Sequence, residues 1–148
     1  MRINRAWRFG DIVAVTRPLA TRVVHPHPRM DAVRNCVAIE RGPLVYCLEA
    51  PDVPQDVVID DCRIRISDAI TARPVHRVDL LDGVTTLTTP MQVLDHPVTE
   101  PYPAVVGSAN RGAWSRRTTK AQLVPYYAWA NRTLGPMRIW LPMDGGGG

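Results

Sequence analysis

Apolar residues along this chain fall in short unbroken runs or at every second position. Almost nowhere do they take the three-to-four-residue spacing of a helix face. Turn residues and 14 prolines separate the runs. Short β-like segments with this punctuation predict an all-β sandwich or barrel. The first segment, "GDIVAVT", opens on a Gly-Asp turn and continues through Ile12, Val13 and Val15. A second, "LATRVVH", follows Pro18. Pro26 and Pro28 then force extended, non-pairing backbone, so His25 to Arg29 reads as a connector between two structural units.

"NCVAIERGPLVYCLE" reads as two strands about Arg41-Gly42-Pro43. With Arg41-Gly42 as a tight turn and Pro43 opening the second strand, Ile39 faces Leu44, Val37 faces Tyr46 and Cys36 faces Cys47. Val37, Ile39, Leu44, Tyr46 and Leu48 then share one face. Ala38, Val45, Cys36 and Cys47 share the other. A bend between sheets at Gly42-Pro43 is the alternative. Both faces are mostly apolar, whereas a strand of a two-layer sandwich normally turns one face to water. A further covering layer is therefore expected: a loop, a neighbouring domain or a partner.

"CRIRIS" alternates Cys62, Ile64 and Ile66 against Arg63, Arg65 and Ser67, the pattern of a strand with one wet face. "VHRVDLLDGVTTLTT" predicts a hairpin with a type I′ turn at Asp82-Gly83 and Val78 opposite Leu87. Asp95 to Thr119 reads as a long surface loop. "QLVPYYAWANRTLGPMRIWLP" predicts two strands about Asn131 to Pro136, with Tyr126, Tyr127 and Trp129 on the first and Ile139, Trp140 and Leu141 on the second. The closing glycines, within 144–148, read as a flexible tail.

Length and composition narrow the picture. The 148 residues suit one ordinary domain, and 45% hydrophobic with 22% charged residues is a globular balance. No apolar run approaches a membrane span. The N-terminus carries Arg2, Arg5 and Arg8 but no continuous apolar stretch, so a cytoplasmic location is expected. The net charge of +4 invites a nucleic-acid reading, but the arginines are scattered among acids and only Arg116, Arg117 and Lys120 cluster. Neither nucleic acid nor membrane is the expected partner.

Candidate chemistry is sparse. A glycosidase-type acid pair would have to come from Glu40, Glu49, Asp52, Asp60 or Asp61, none of which a motif marks. Glu40 beside Arg41 reads as a solvated ion pair. Cys36, Cys47 and Cys62 are too few and too widely spaced for a disulfide framework or zinc knuckle, and read as reduced structural thiols. Cys47 in an apolar strand lacks the base or cation that activates a thiol. His25 and His27 lack further ligands at metal spacing and read as linker. Trp129 and Trp140, with Tyr126 and Tyr127, offer flat faces for sugar stacking, although such residues more often fill a core or interface. Asn131-Arg132-Thr133 matches a glycosylation sequon without a secretory signal to support it.

Three stretches, "RAWRFGDIVAV", "VAIERGPLVYCLEAPD" and "VPYYAWANRTLGPMRIWLP", in this order and separation, resemble the C-terminal region of glycoside hydrolase family 127, the β-L-arabinofuranosidase-like proteins. Arg17 and Leu134-Gly135-Pro136 depart from the pattern. The resemblance implies an antiparallel, jelly-roll-like β-sandwich over 29–143, preceded in 1–28 by the closing strands of another sandwich and a linker. It implies that the chemistry, a cysteine nucleophile in a zinc site with further cysteines and a glutamate, sits on an (α/α)6 barrel that this chain does not contain. No catalytic, cofactor or metal residue is therefore expected here. The expected partners are that barrel or the neighbouring sandwich, with carbohydrate at Trp129 and Trp140 as the alternative.

Overall fold

The computed structural model describes residues 3–16, 18–95 and 115–145. Its strands are β1 (Thr21–Val24), β2 (Cys36–Arg41), β3 (Leu44–Glu49), β4 (Cys62–Arg63), β5 (Arg73–Arg77), β6 (Val84–Asp95), β7 (Ser115–Pro125), β8 (Met137–Arg138) and β9 (Leu141–Pro142). One short helix, α1 (Ile66–Ile70), interrupts them. The named strands pair antiparallel, in the order β1-β2-β3-β7-β6-β4, with β5 on β6, β8 on β3 and β9 on β2. This is the all-β antiparallel architecture that the pattern predicts.

The last strand closes the sheet upon itself. Val37 pairs with Leu141 in β9, and Ile64, just past β4, bridges to Met143. Ile64 N–H donates to the Pro142 carbonyl at 2.9 Å, and Asp144 N–H to that of Ile64 at 2.8 Å. Backbone groups left at the edges of β2 and β4 thereby find partners. Val37, Ile39, Tyr46, Leu48, Leu87, Met91, Leu123 and Leu141 turn into one core, which Val57, Ile59 and Ala69 extend.

The apolar faces of β2 and β3 fall as the pattern predicts, but the register differs. Arg41 pairs with Leu44 and Ile39 with Tyr46, so the turn is Gly42-Pro43 and the cysteines are not opposite one another. Gly42 has φ +58° and the proline ring holds φ negative, the sign pair of a type II′ turn. A slip of two residues keeps every side chain on its face, so face patterning could not detect it.

The second face is covered by this chain itself. Cys47 and Val124 pack with Leu80, Val84, Met137 and Ile139, and both are fully buried. The further layer expected over β3 is thus the β5–β6 connection and the segment around β8, not another domain.

Several local expectations change. Asp11 to Thr16 form no strand, and Ile12 and Val15 are exposed; no strand among the described residues pairs with them. β1 hydrogen-bonds to β2. In "CRIRIS" the strand stops after Ile64, because Ile66 opens α1 and is exposed. The Asp82-Gly83 hairpin forms with Leu81, Asp82 and Gly83 all at positive φ, but Arg77 pairs with Val84, and Val78 lies in the connection, exposed. Ser115 to Thr119 extend β7 alongside β6 out to Asp95, so the basic cluster is on a strand. The remainder of the expected loop, 96–114, lies outside the described residues, as do Arg17 and the end of the glycine tail. Tyr126, Tyr127 and Trp129 leave the strand for a 3-10 turn (Tyr126–Ala128) and its cap, and β8 pairs with β3 rather than with β7. Among the described residues no helix is long and apolar enough to cross a membrane.

Candidate functional site

The most heavily bonded polar group joins two distant stretches. Glu49 ends β3, Asp52 sits in the 3-10 turn that follows, and Arg132 comes from the turn after β7. Arg132 Nη1 donates to Asp52 Oδ1 and its Nη2 to Asp52 Oδ2, both at 2.7 Å. Nη2 also donates to Glu49 Oε2. Glu49 Oε1 accepts the Ala130 N–H at 2.9 Å. Both carboxylates are nearly inaccessible, with side chains 4% and 2% exposed, against 20% for Arg132. The two-pronged pairing suits the planar guanidinium, and Asp52 raises the Arg132 pKa further, assisted by Glu49. Ala130 is held at φ +61° by the bond to Glu49.

This cluster gives the acids a structural task. Glu49 and Asp52 both bond the same cation, and neither is a free acid–base group. Glu40 pairs with Arg22 at 2.6 Å across the β1–β2 pair, not with Arg41. Asp60 pairs with Arg138 at 2.7 Å, and Asp61 is also engaged. Each of the five candidate acids is thus engaged within the chain.

The thiols are equally quiet. All three cysteines are free and buried. Burial pushes the Cys47 thiol up to about 12, reinforced by the charges of Glu49 and Asp52 and opposed by Arg132. Burial likewise raises Cys62 to about 11. Near neutral pH both thiols are therefore held in the protonated form. The described residues do not fit a zinc site: no three His, Cys, Asp or Glu converge. His27 Nδ1 accepts the Arg29 N–H at 3.2 Å, and both His25 and His27 are exposed.

The aromatic residues divide. Tyr126 and Trp129 stack with centroids 5.9 Å apart and planes 12° from parallel, and both are exposed, as are Tyr127 and Leu134. Trp140 is half-buried. The Arg132 clamp thus anchors an exposed aromatic ledge at the end of β7. Spacing could not have revealed the clamp, because Arg132 is 80 residues from Asp52. The only hint was that both partners fall in the two longest stretches of family resemblance.

Comparison with known proteins places the chain. The family model described as "Glycoside hydrolase family 127 C-terminal domain" matches residues 21–142. A non-reducing end β-L-arabinofuranosidase of Bifidobacterium longum subsp. longum is 34% identical over 131 residues, covering 86% of this chain and 19% of the relative. A solved structure described as a glycoside hydrolase superposes with TM-score 0.71 at 28% identity, covering 84% of this chain and 19% of that one. A family 127 β-L-arabinofuranosidase from Geobacillus stearothermophilus T6 gives 0.68 at 25% identity, covering 86% and 19%. The chain therefore spans about a fifth of the length of the relatives it matches. By residues 21–142 it belongs to the glycoside hydrolase family 127 C-terminal domain family.

Proposed function

We propose that this chain is a noncatalytic C-terminal β-sandwich module of a family 127-type glycoside hydrolase of β-L-arabinofuranosidase type, and that it docks on and supports a catalytic (α/α)6 barrel which it does not itself contain. The carrying observation is the match of a C-terminal domain family over residues 21–142 in a chain spanning 19% of a β-L-arabinofuranosidase. The quiet acids and thiols support the noncatalytic part. Nucleophile and zinc chemistry would reside on the barrel.

Two exposed apolar surfaces are the docking candidates. Before β1, Trp7, Phe9, Ile12 and Val15 are exposed, Phe9 and Ile12 almost entirely. Residues before β1, which itself pairs with β2, would complete a preceding sandwich by adding strand to its edge. The ledge of Tyr126, Tyr127, Trp129 and Leu134 is the second surface. The proposed setting is cytoplasmic.

Assaying the purified chain on an aryl β-L-arabinofuranoside tests the noncatalytic claim. No hydrolysis is expected; turnover abolished by Cys47→Ala would overturn it. The stacked Tyr126–Trp129 pair favours one second reading, a stand-alone carbohydrate-binding module. Titration with arabinose-containing oligosaccharides, followed by tryptophan fluorescence, separates the two. A saturable change lost in Trp129→Ala or Trp140→Ala would favour binding; a flat response favours docking.

A further inference from the structure

A groove of about 580 Å3 lies across β5, β6 and β7, lined by Thr71, Arg73, Thr88, Pro90, Thr119 and Lys120 among others. Register places Arg73 opposite Thr88 and Lys120 opposite Pro90. The two cations therefore stand on the strands flanking β6, with Cα atoms about 12 Å apart by strand geometry.

Both cations differ in pairing from the arginines on neighbouring elements. Arg77, Arg117 and Arg132 on nearby elements are each ion-paired. The side chains of Arg73 and Lys120 make no hydrogen bond or ion pair among the described residues. Among the described residues, no carboxylate lines this first hollow. Thr71, Thr89 and Thr118 donate their hydroxyls to protein acceptors, whereas those of Thr88 and Thr119 remain open. Through Thr88 and Lys120 the groove meets a second hollow of about 290 Å3, which adds Gln122 and the ion-paired Arg77 and Asp52. Arg77 holds the Gln122 carbonyl at 2.7 Å, leaving its amide nitrogen to donate outward.

We infer that this threonine-lined groove between Arg73 and Lys120 is a binding site for an acidic oligosaccharide, a glycan bearing carboxylates. Thr88 and Thr119 each offer a methyl and an uncommitted hydroxyl, matching the C–H faces and hydroxyls of a sugar. The unpaired cations supply charge-assisted hydrogen bonds to uronate carboxylates. The volume lies in the usual range for ligand sites, and the open groove admits a chain. The lining has no aromatic ring on which a nucleic-acid base could stack. The first hollow shares no lining residue with the aromatic ledge, and the inference stands or falls independently of the docking role proposed above.

Calorimetric titration of the chain with oligogalacturonate, against a neutral galacto-oligosaccharide of equal length and inorganic phosphate, tests the inference. Saturable binding of the acidic glycan alone is expected, weakening with salt. It should fall about tenfold or more in the double variant Arg73→Gln/Lys120→Gln, because charged hydrogen bonds are lost. The melting temperature should not change. Arg8→Gln/Arg29→Gln, of equal net charge and remote from the groove, should bind normally. The inference is overturned by absent binding, by equal binding of the neutral glycan or phosphate, or by equal losses in the two double variants. Binding of an oligonucleotide but not the glycan would also overturn it. So would impaired docking to a separately produced barrel, in the groove variant, without glycan binding.

Discussion

The guanidinium of Arg132 faces two carboxylates that water barely reaches, and removing one member of such a cluster leaves uncompensated charge. Arg132→Ala should destabilise the chain by about 3–5 kcal/mol in urea denaturation. Arg132→Lys should recover part of this, because an ammonium cannot make the two-pronged bond to Asp52. A loss below about 1 kcal/mol in Arg132→Ala would place the cluster among ordinary surface pairs. The thiols give a second residue-scale test. Cys47 and Cys62 titrate near 12 and 11 when folded, above the ordinary 9 expected once unfolded. Their contribution is therefore complete below about pH 9 and declines as pH rises from there toward 11 and 12, as the unfolded chain loses protons first. Stability measured from pH 8 to 11 should fall less steeply in Cys47→Ala than in the parent. At pH 8 a thiol reagent should modify neither residue before unfolding. Arg132's task was not legible in the sequence, since its acids meet it only through the fold. The inertness of Cys47 was legible, because apolar neighbours on its own strand already imply a raised pKa.

Elements were readable by face and unreadable by register. The alternation of Val37, Ile39, Tyr46 and Leu48 names the core side of β2 and β3 correctly, since burial enforces a period of two. It carries no information on a slip of two residues, which turn geometry decides. At that turn Gly42 is at φ +58°, and an added Cβ would meet the Leu19 side chain. Gly42→Ala should therefore cost about 1–2 kcal/mol from backbone strain alone. β9 is only two residues long, yet Leu141 is buried where the sheet closes. Leu141→Ala should cost about 2–5 kcal/mol, while Leu134→Ala, almost fully exposed, should stay within about 0.5 kcal/mol. Equal effects at the two positions would mean that β9 does not seal the core. α1 escaped the pattern because five residues are too few to show a helical period.

For the molecule as a whole, the covering of β3 shifts where a neighbour is needed. Cys47 and Val124 are sealed from within, so the unfilled apolar surface lies before β1 and on the aromatic ledge. The family and the all-β class were legible because three motifs keep their order; the groove beside Lys120 was not, because it joins residues from three separate strands. The most direct test of the docking account is a pull-down and thermal melt of this chain with a separately produced family 127 catalytic barrel carrying its preceding sandwich. Association that raises the barrel's melting temperature, and that weakens at least tenfold in Phe9→Ser/Ile12→Ser while the variant's own stability is unchanged, is the expected result. No association, with the chain's melt indifferent to its proposed partner, would contradict it.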